Sequence, residues 1–411
     1  MTLVSPTLDA PADGLAARMG RIAASPASIL RRRARELRAE GRDVIELSAG
    51  DLDFPTPDHV VAAAHRAALA QETGYTDTDG TPALKDAVRA AFARQNGLSY
   101  GPDEIIVSTG STQVLFSAFA ATLEPGDEVI VPQPCWAPYL NQVRLAGGVP
   151  VPVACPPDNG FKLRPADLNR AITDRTRWVV LNNPVNPTGA VYDAADLSAL
   201  ARVLLDFPGI RVLADGLYEH IVFDGQRAPT MAEVEQQLKP RTLTVSGVAK
   251  AYGMEGWRIG YAGGPAPLVR AMAKVQSLTT GCPSSISQAA AVAALTGPQT
   301  LLAERAAELQ RRRDRFAALL DGCAGLACPL PEGTFYLIVS CAGVIGRRTV
   351  AGKPIETGRD FAAHLLETAG VAVLAGEDCG LSNHVRVSFG QPMATLEEAA
   401  RRIARACAEL R

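Results

Sequence analysis

The chain is poor in the features that mark several large protein classes. No apolar run approaches the roughly 20 residues a membrane-spanning helix needs, and Met1–Gly20 shows neither a basic start with an apolar core nor a cleavage-like end, so no signal peptide is expected. Net charge is almost nil: 41 basic against 43 acidic side chains leave −2, with an isoelectric point near 6.3. Nothing electrostatic therefore points to nucleic acid or an anionic membrane as partner. The basic run Arg31-Arg32-Arg33-Ala34-Arg35 is followed by Glu36, Glu40 and Asp43, the pattern of a solvated helix face. The eight cysteines form no C-x-x-C pair and read as reduced thiols. The five histidines (His59, His65, His220, His364, His384) lack close ligand spacing, so no metal site is expected. There is no internal repeat, no low-complexity tract and no sign of an N-terminal DNA-binding domain. A cytoplasmic location is expected.

What is present is ordinary globular material, 47% hydrophobic and 20% charged over 411 residues, enough for a large and a smaller domain around a sizeable core. From Ile105 onward, short apolar runs (Ile105–Val107, Val129–Val131, Trp178–Leu181, Val212–Ala214, Leu243–Val245) alternate with helical spacing at Thr112–Leu123, Ala194–Leu205 and Leu268–Gln276. Such alternation predicts an α/β fold with a mostly parallel sheet covered by helices on both faces. After Gly297-Pro298-Gln299 a long helix, Leu301–Leu320, leads into an α+β tail. Its predicted strands are Thr334–Val339, Val371–Leu374 and Val385–Phe389, and its helices Asp360–Thr368 and Leu396–Glu409. The expected division is an arm at 1–20 with the small, Pro-rich composition of a disordered segment, the start of a small domain at 21–55, a large domain at 56–298 and the rest of the small domain at 299–411.

Lys250 carries the strongest chemical signal. It lies among small residues in Thr244-Val245-Ser246-Gly247-Val248-Ala249-Lys250-Ala251-Tyr252-Gly253-Met254-Glu255-Gly256-Trp257-Arg258-Ile259-Gly260-Tyr261. A desolvated lysine can present a neutral amine to an aldehyde, and Arg258 offers a fixed cation to a phosphate. An aldehyde bearing a phosphate suggests pyridoxal 5'-phosphate. That cofactor needs a buried carboxylate at its pyridine nitrogen, and Asp215 closes the apolar run Val212–Ala214, where ligands of open α/β sheets gather. Tyr218 follows three residues on. Asn186, in Asn182-Asn183-Pro184-Val185-Asn186-Pro187-Thr188-Gly189, sits on a proline-stiffened loop. Ser108-Thr109-Gly110-Ser111-Thr112 joins a strand to a helix, an anion-binding arrangement. Trp136 could stack on the ring, and Arg386 could fork onto a carboxylate. Taken singly, each has a plainer reading: Asp215 a turn residue, Ser111 part of a helix cap, Trp136 core packing, Arg386 an exposed strand arginine.

Together these segments resemble the class I aminotransferases of PLP fold type I, in the aspartate and prephenate aminotransferase branch. The likeness runs from about Ser25 to the C-terminus. It rests on Leu47-Ser48-Ala49-Gly50 with Asp53-Phe54, Tyr75-Thr76 with Gly80, Asn186-Pro187-Thr188-Gly189, Asp215 with Tyr218, Lys250 to Tyr261, and Val385-Arg386-Val387-Ser388-Phe389. The resemblance implies a Schiff-base role for Lys250, pairing of Asp215 with the pyridine nitrogen, and bonds from Asn186 and Tyr218 to the phenolic oxygen. Trp136 would stack on the ring. Ser111, Thr112 and Arg258 would hold the phosphate, joined by Tyr75 from the second subunit of a homodimer. Gly50, Trp136, Asn186 and Arg386 would surround the amino acid substrate. Catalysis would fall to Lys250, Asp215 and Tyr218, moving an amino group from an L-amino acid to a 2-oxo acid by a ping-pong route.

Several positions depart from the branch pattern. Gly216 stands where an acid is common, and Thr112 where a lysine often receives an acidic side chain. Leu278 replaces a frequent glutamine, Cys135 a tyrosine and Glu255 a threonine. Removing a lysine and adding a leucine and a glutamate predict a donor that is neutral or basic rather than aspartate; the other reading is that a residue not visible in the sequence pattern replaces the lysine. Two rival functions remain: another reaction of the same cofactor (β-elimination, decarboxylation or oxidation), and a non-catalytic binding protein. The presence of Lys250, Asp215, Tyr218 and Asn186 together speaks against the second rival.

Overall fold

A computed structural model describes residues 14–411; the first thirteen residues of the expected N-terminal arm lie outside that range. Within it, Ala17–Arg21 form a short 3₁₀ turn and Pro26–Ala39 a helix capped by Ser25. The basic run Arg31–Arg35 lies on that helix, largely exposed and paired with Glu36, Glu40, Glu46 and Glu367.

The first strand, β1 (Ile45–Glu46), leads the chain into the central cleft. A seven-stranded sheet follows: β2 (Ile105–Ser108), β3 (Glu128–Gln133), β4 (Val149–Ala154), β5 (Thr176–Asn182), β6 (Arg211–Asp215), β7 (Thr242–Gly247) and β8 (Gly260–Gly263). Their spatial order is β2-β8-β7-β6-β5-β3-β4, all parallel except β8, which runs antiparallel between β2 and β7. Each strand from β5 to β7 is buried almost throughout, as expected where helices cover both faces.

Two of these strands are absent from the sequence expectation, for identifiable reasons. In β4 the sequence Val149-Pro150-Val151-Pro152-Val153 carries two prolines that a central strand could not pair, but β4 is the edge of the sheet. In β8, Gly-Tyr-Ala-Gly lacks β-branched residues because neighbours press against it. A Cβ on Gly263 would run into the Tyr100 ring, and one on Gly260 into the backbone at Ser111.

A second body of structure carries β9 (Tyr336–Ser340), β10 (Val371–Ala372), β11 (Leu374–Ala375) and β12 (His384–Ser388). β11-β12-β9 form an antiparallel sheet, while β10 pairs in parallel with β1. The single strand expected over Val371–Leu374 is therefore two strands in two sheets, divided at Val373. Helices Thr300–Asp321 and Met393–Ala408 pack together behind this sheet. A continuous apolar cluster from Leu47 through Phe316, Phe335, Phe361 and Phe389 forms its core. The β1–β10 pairing places Ser48 and Gly50 against the second body while Lys250 and Asp215 approach from the first.

Candidate active site

A cleft lies at the carboxyl ends of β2, β5, β6 and β7, where open α/β sheets leave room for ligands. It encloses about 270 Å³. Ten of the eleven residues singled out in the sequence line it: Gly50, Ser111, Thr112, Trp136, Asn186, Asp215, Tyr218, Lys250, Arg258 and Arg386. The eleventh, Tyr75, does not reach the cleft of its own chain; its side chain is 100% exposed.

Lys250 stands three residues beyond β7, and its Nζ donates to the Gly50 carbonyl at 2.7 Å. Asp215 ends β6 and is buried, reached only from the cleft. The Tyr139 hydroxyl donates to its Oδ2 at 2.5 Å and the Leu217 N–H to its Oδ1 at 3.1 Å. Burial pushes the Asp215 carboxyl above the usual range, and these two donors pull it back. Asn182, at the end of β5, buttresses both sides of the site: its Nδ2 donates to the Asp215 carbonyl at 2.9 Å and its Oδ1 accepts from the Asn186 N–H at 2.6 Å.

The Asn186 amide is thereby turned so that Nδ2 donates to the Tyr218 hydroxyl at 3.4 Å, while Oδ1 accepts from Arg386 Nη1 at 3.3 Å. Arg386 also donates through Nη2 to the Ser48 carbonyl at 2.8 Å. Its guanidinium lies 4.3 Å from the centre of the Tyr336 ring. On β12 it pairs with Ile338 of β9, so Tyr336 is its diagonal neighbour on the same face. Tyr336 and Tyr218 hydroxyls are 3.2 Å apart.

At the other end, Gly110 (φ 84°) precedes the helix Ser111–Ala120, and Arg258 (φ 58°) lies across it. A Cβ on Gly110 would overlap the Arg258 guanidinium. The first N–H groups of that helix, two hydroxyls and a guanidinium thus converge.

These features fit pyridoxal 5'-phosphate. A phosphate would lie between Ser111, Thr112 and Arg258, a pyridinium nitrogen beside Asp215, and an aldehyde near Lys250. Among the described residues Arg386 Nε and Ser48 Oγ are buried without partners, groups that an amino acid's polar atoms can satisfy.

Tyr139 and Tyr336 were not among the residues singled out in the sequence. The signal for Tyr139 was its place three residues after Trp136; nothing local marked Tyr336. Of the departures from the branch pattern, Thr112 and Glu255 line the cleft. Leu278 does not: it lies on the helix Ala266–Thr279, 88% exposed. Cys135 is buried in a narrow cavity beneath the cleft, and Gly216 has space for a side chain beside the Val245 carbonyl.

A family model described as aminotransferase class I and II matches residues 42–403. An aspartate aminotransferase of Rhizobium meliloti (strain 1021) is 53% identical over 395 residues, 96% of each chain. An aspartate/prephenate aminotransferase of Cereibacter sphaeroides is 48% identical over 392 residues, covering 95% of this chain and 98% of that one. The crystal structure of the aspartate aminotransferase from Rhizobium meliloti aligns with a TM-score of 0.94 at 52% identity, covering 97% and 99% of the two chains. The chain belongs to the class I and II aminotransferases, whose cofactor is pyridoxal 5'-phosphate.

Proposed function

We propose that this protein transfers an amino group from an L-amino acid to a 2-oxo acid in two half-reactions at the cleft. The observation that carries this reading is the convergence of Lys250, Asp215 and Arg386, from three separate segments, on one enclosed space. When bound, the cofactor supplies an aldehyde that takes up the amino group and a ring that accepts the electron pair of the broken C–H bond. The protein does the rest. Arg386, steadied by Ser48, Asn186 and Tyr336, binds the α-carboxylate and so presents the α-hydrogen to Lys250. Lys250 would take that proton on Nζ and hold it for return in the same half-reaction. Asp215 would hold the positive charge of the ring nitrogen, and Asn186 and Tyr218 would bond the phenolic oxygen.

For the donor, the reading is a neutral or basic side chain. Of the cleft-lining cations in the described chain, Lys250, Arg258 and Arg386 all have roles already, whereas Glu255 adds a negative charge. The names of the relatives favour aspartate instead. A panel of amino donors separates the two, with faster turnover of a neutral or basic donor expected; clear preference for aspartate would refute it. Conversion of the cofactor to its pyridoxamine form on adding an amino acid supports transamination, and ammonia release without it supports elimination.

A homodimer is part of this reading, supported by the exposure of Tyr75, and sedimentation analysis tests it. So is a cytoplasmic location, supported by eight free cysteines. Among the described residues no helix is long and apolar enough to cross a membrane. The domain division at 21–55, 56–298 and 299–411 is kept as well, supported by the pairing of β1 with β10 and by the separate apolar clusters.

A further inference from the structure

We propose that Tyr139 is a positioning residue whose hydroxyl anchors the Asp215 carboxylate while its ring seats Trp136, so that one phenol sets both the charge partner and the stacking partner of the cofactor ring. The inference rests on the reading of Asp215 as the partner of the ring nitrogen.

The geometry is specific. Tyr139 is the second residue of the helix Pro138–Leu145, and its N–H donates to the Trp136 carbonyl at 3.0 Å, closing the turn that carries the indole. The two rings meet edge to face, centroids 5.2 Å apart at 82°, a favoured aromatic arrangement. The hydroxyl is buried, and Asp215 Oδ2 is its hydrogen-bond partner among the described residues. Phenylalanine would fill the same space without burying a hydroxyl, which costs free energy unless it is paired. The hydroxyl therefore serves the carboxylate. Burial first, and the Asp215 charge second, hold the phenol well above its usual titration range, so it acts as a donor at every working pH.

Each oxygen of Asp215 then has one fixed donor, Leu217 N–H on Oδ1 and Tyr139 on Oδ2. A carboxylate has further lone pairs, and since Asp215 lines the cleft these remain for the ring nitrogen. Without the Tyr139 donor the carboxylate becomes more basic and draws the ring proton toward itself. The ring would then carry less positive charge, and the visible absorption of the bound cofactor would change its dependence on pH.

The test is the visible absorption of the holoenzyme against pH, without substrate. Wild type is compared with Tyr139→Phe and with a chain carrying 3-fluorotyrosine at 139, whose more acidic phenol is the stronger donor. The midpoint of the cofactor band is expected to rise by about one unit in Tyr139→Phe and to fall in the fluorinated chain. Cofactor affinity of Tyr139→Phe should drop ~10-fold, with the fold of the cofactor-free protein retained by circular dichroism. Coincident midpoints in the three proteins overturn the proposal, as does a Tyr139→Phe protein altered only in thermal stability. A wild-type protein with no cofactor band sinks the reading beneath it as well, which distinguishes the two failures.

Discussion

Arg312 grips Asp53 with two guanidinium nitrogens, Nη1 at 2.7 Å and Nη2 at 3.0 Å. The arginine belongs to the long helix Thr300–Asp321, and its guanidinium also lies 5.1 Å from the centre of the Phe54 ring. Asp53-Phe54 is thus the clip that fastens the Gly50 loop, whose carbonyl accepts from Lys250. Asp53→Asn takes away one of the two carboxylates on this buried guanidinium, leaving Glu308 at 2.7 Å from Nε, at a cost of about 2 kcal/mol. The expected result is a lower melting temperature with a raised KM for the amino acid. Unchanged values of both would show that the loop is held by its other bonds.

Gly110→Ala tests the phosphate cradle. At φ 84° an L side chain is strained, and its Cβ would press on the Arg258 guanidinium. The expected outcome is a cofactor dissociation constant raised by at least ~10-fold, corresponding to about 1.4 kcal/mol, with the fold retained by circular dichroism. An unchanged constant argues that the phosphate binds elsewhere.

Lys250→Ala removes the proposed proton-transfer base. Positioned acid–base catalysis is typically worth ~10²–10⁴-fold, so transamination should fall by at least that factor while the folded protein still takes up the cofactor. Near-normal turnover in this variant would contradict the role given to Lys250.

Most of the cofactor side of this site is legible in sequence, because its residues close strands or open helices within short motifs: Asp215 ends β6, Asn186 follows β5, Lys250 follows β7. Asp215 and Tyr139, by contrast, stand 76 residues apart and meet only because β3 and β6 lie in one sheet. Tyr336 comes to Arg386 through antiparallel register, a pairing that no local pattern encodes. The position of Leu278, outside the cleft of its own chain, was hidden for the same reason. Helical spacing places a residue on a face but does not say which face meets the cleft. In β8, glycines dictated by close approach hide the strand from propensity.

Asp215 predicts an opposition between stability and function in the cofactor-free protein. Burial raises its carboxyl above the ordinary value, so the native state binds its proton more tightly than the unfolded chain does. The stabilising contribution is fully present below the ordinary carboxylate value, near 4, and is lost as pH rises through the raised one. Asp215→Asn, which keeps an acceptor for Tyr139 without the charge, should therefore melt higher than the wild-type apoprotein at neutral pH. The gap should close as the medium is acidified toward the ordinary value. Cofactor affinity of the same variant should fall. Parallel melting curves for the two apoproteins at all pH values would exclude a raised Asp215.

The proposed donor preference is tested most directly at Glu255. This residue lines the cleft, and its Oε1 accepts from the Leu52 N–H at 3.4 Å. Burial raises its carboxyl above the usual range, opposed chiefly by the charge of nearby Lys250. A second carboxylate brought into the same space meets a like charge in a medium less polar than water. At an effective dielectric near 20 such pairs interact by a few kcal/mol at close range, less with distance and water access. Glu255→Thr should raise kcat/KM for aspartate relative to alanine by ~10-fold, equivalent to about 1.4 kcal/mol. Since the charge develops as pH rises through the raised value, the aspartate-to-alanine ratio of the wild type should fall across that range, and that of Glu255→Thr should stay level. Identical ratios in the two proteins at every pH would remove Glu255 from donor selection.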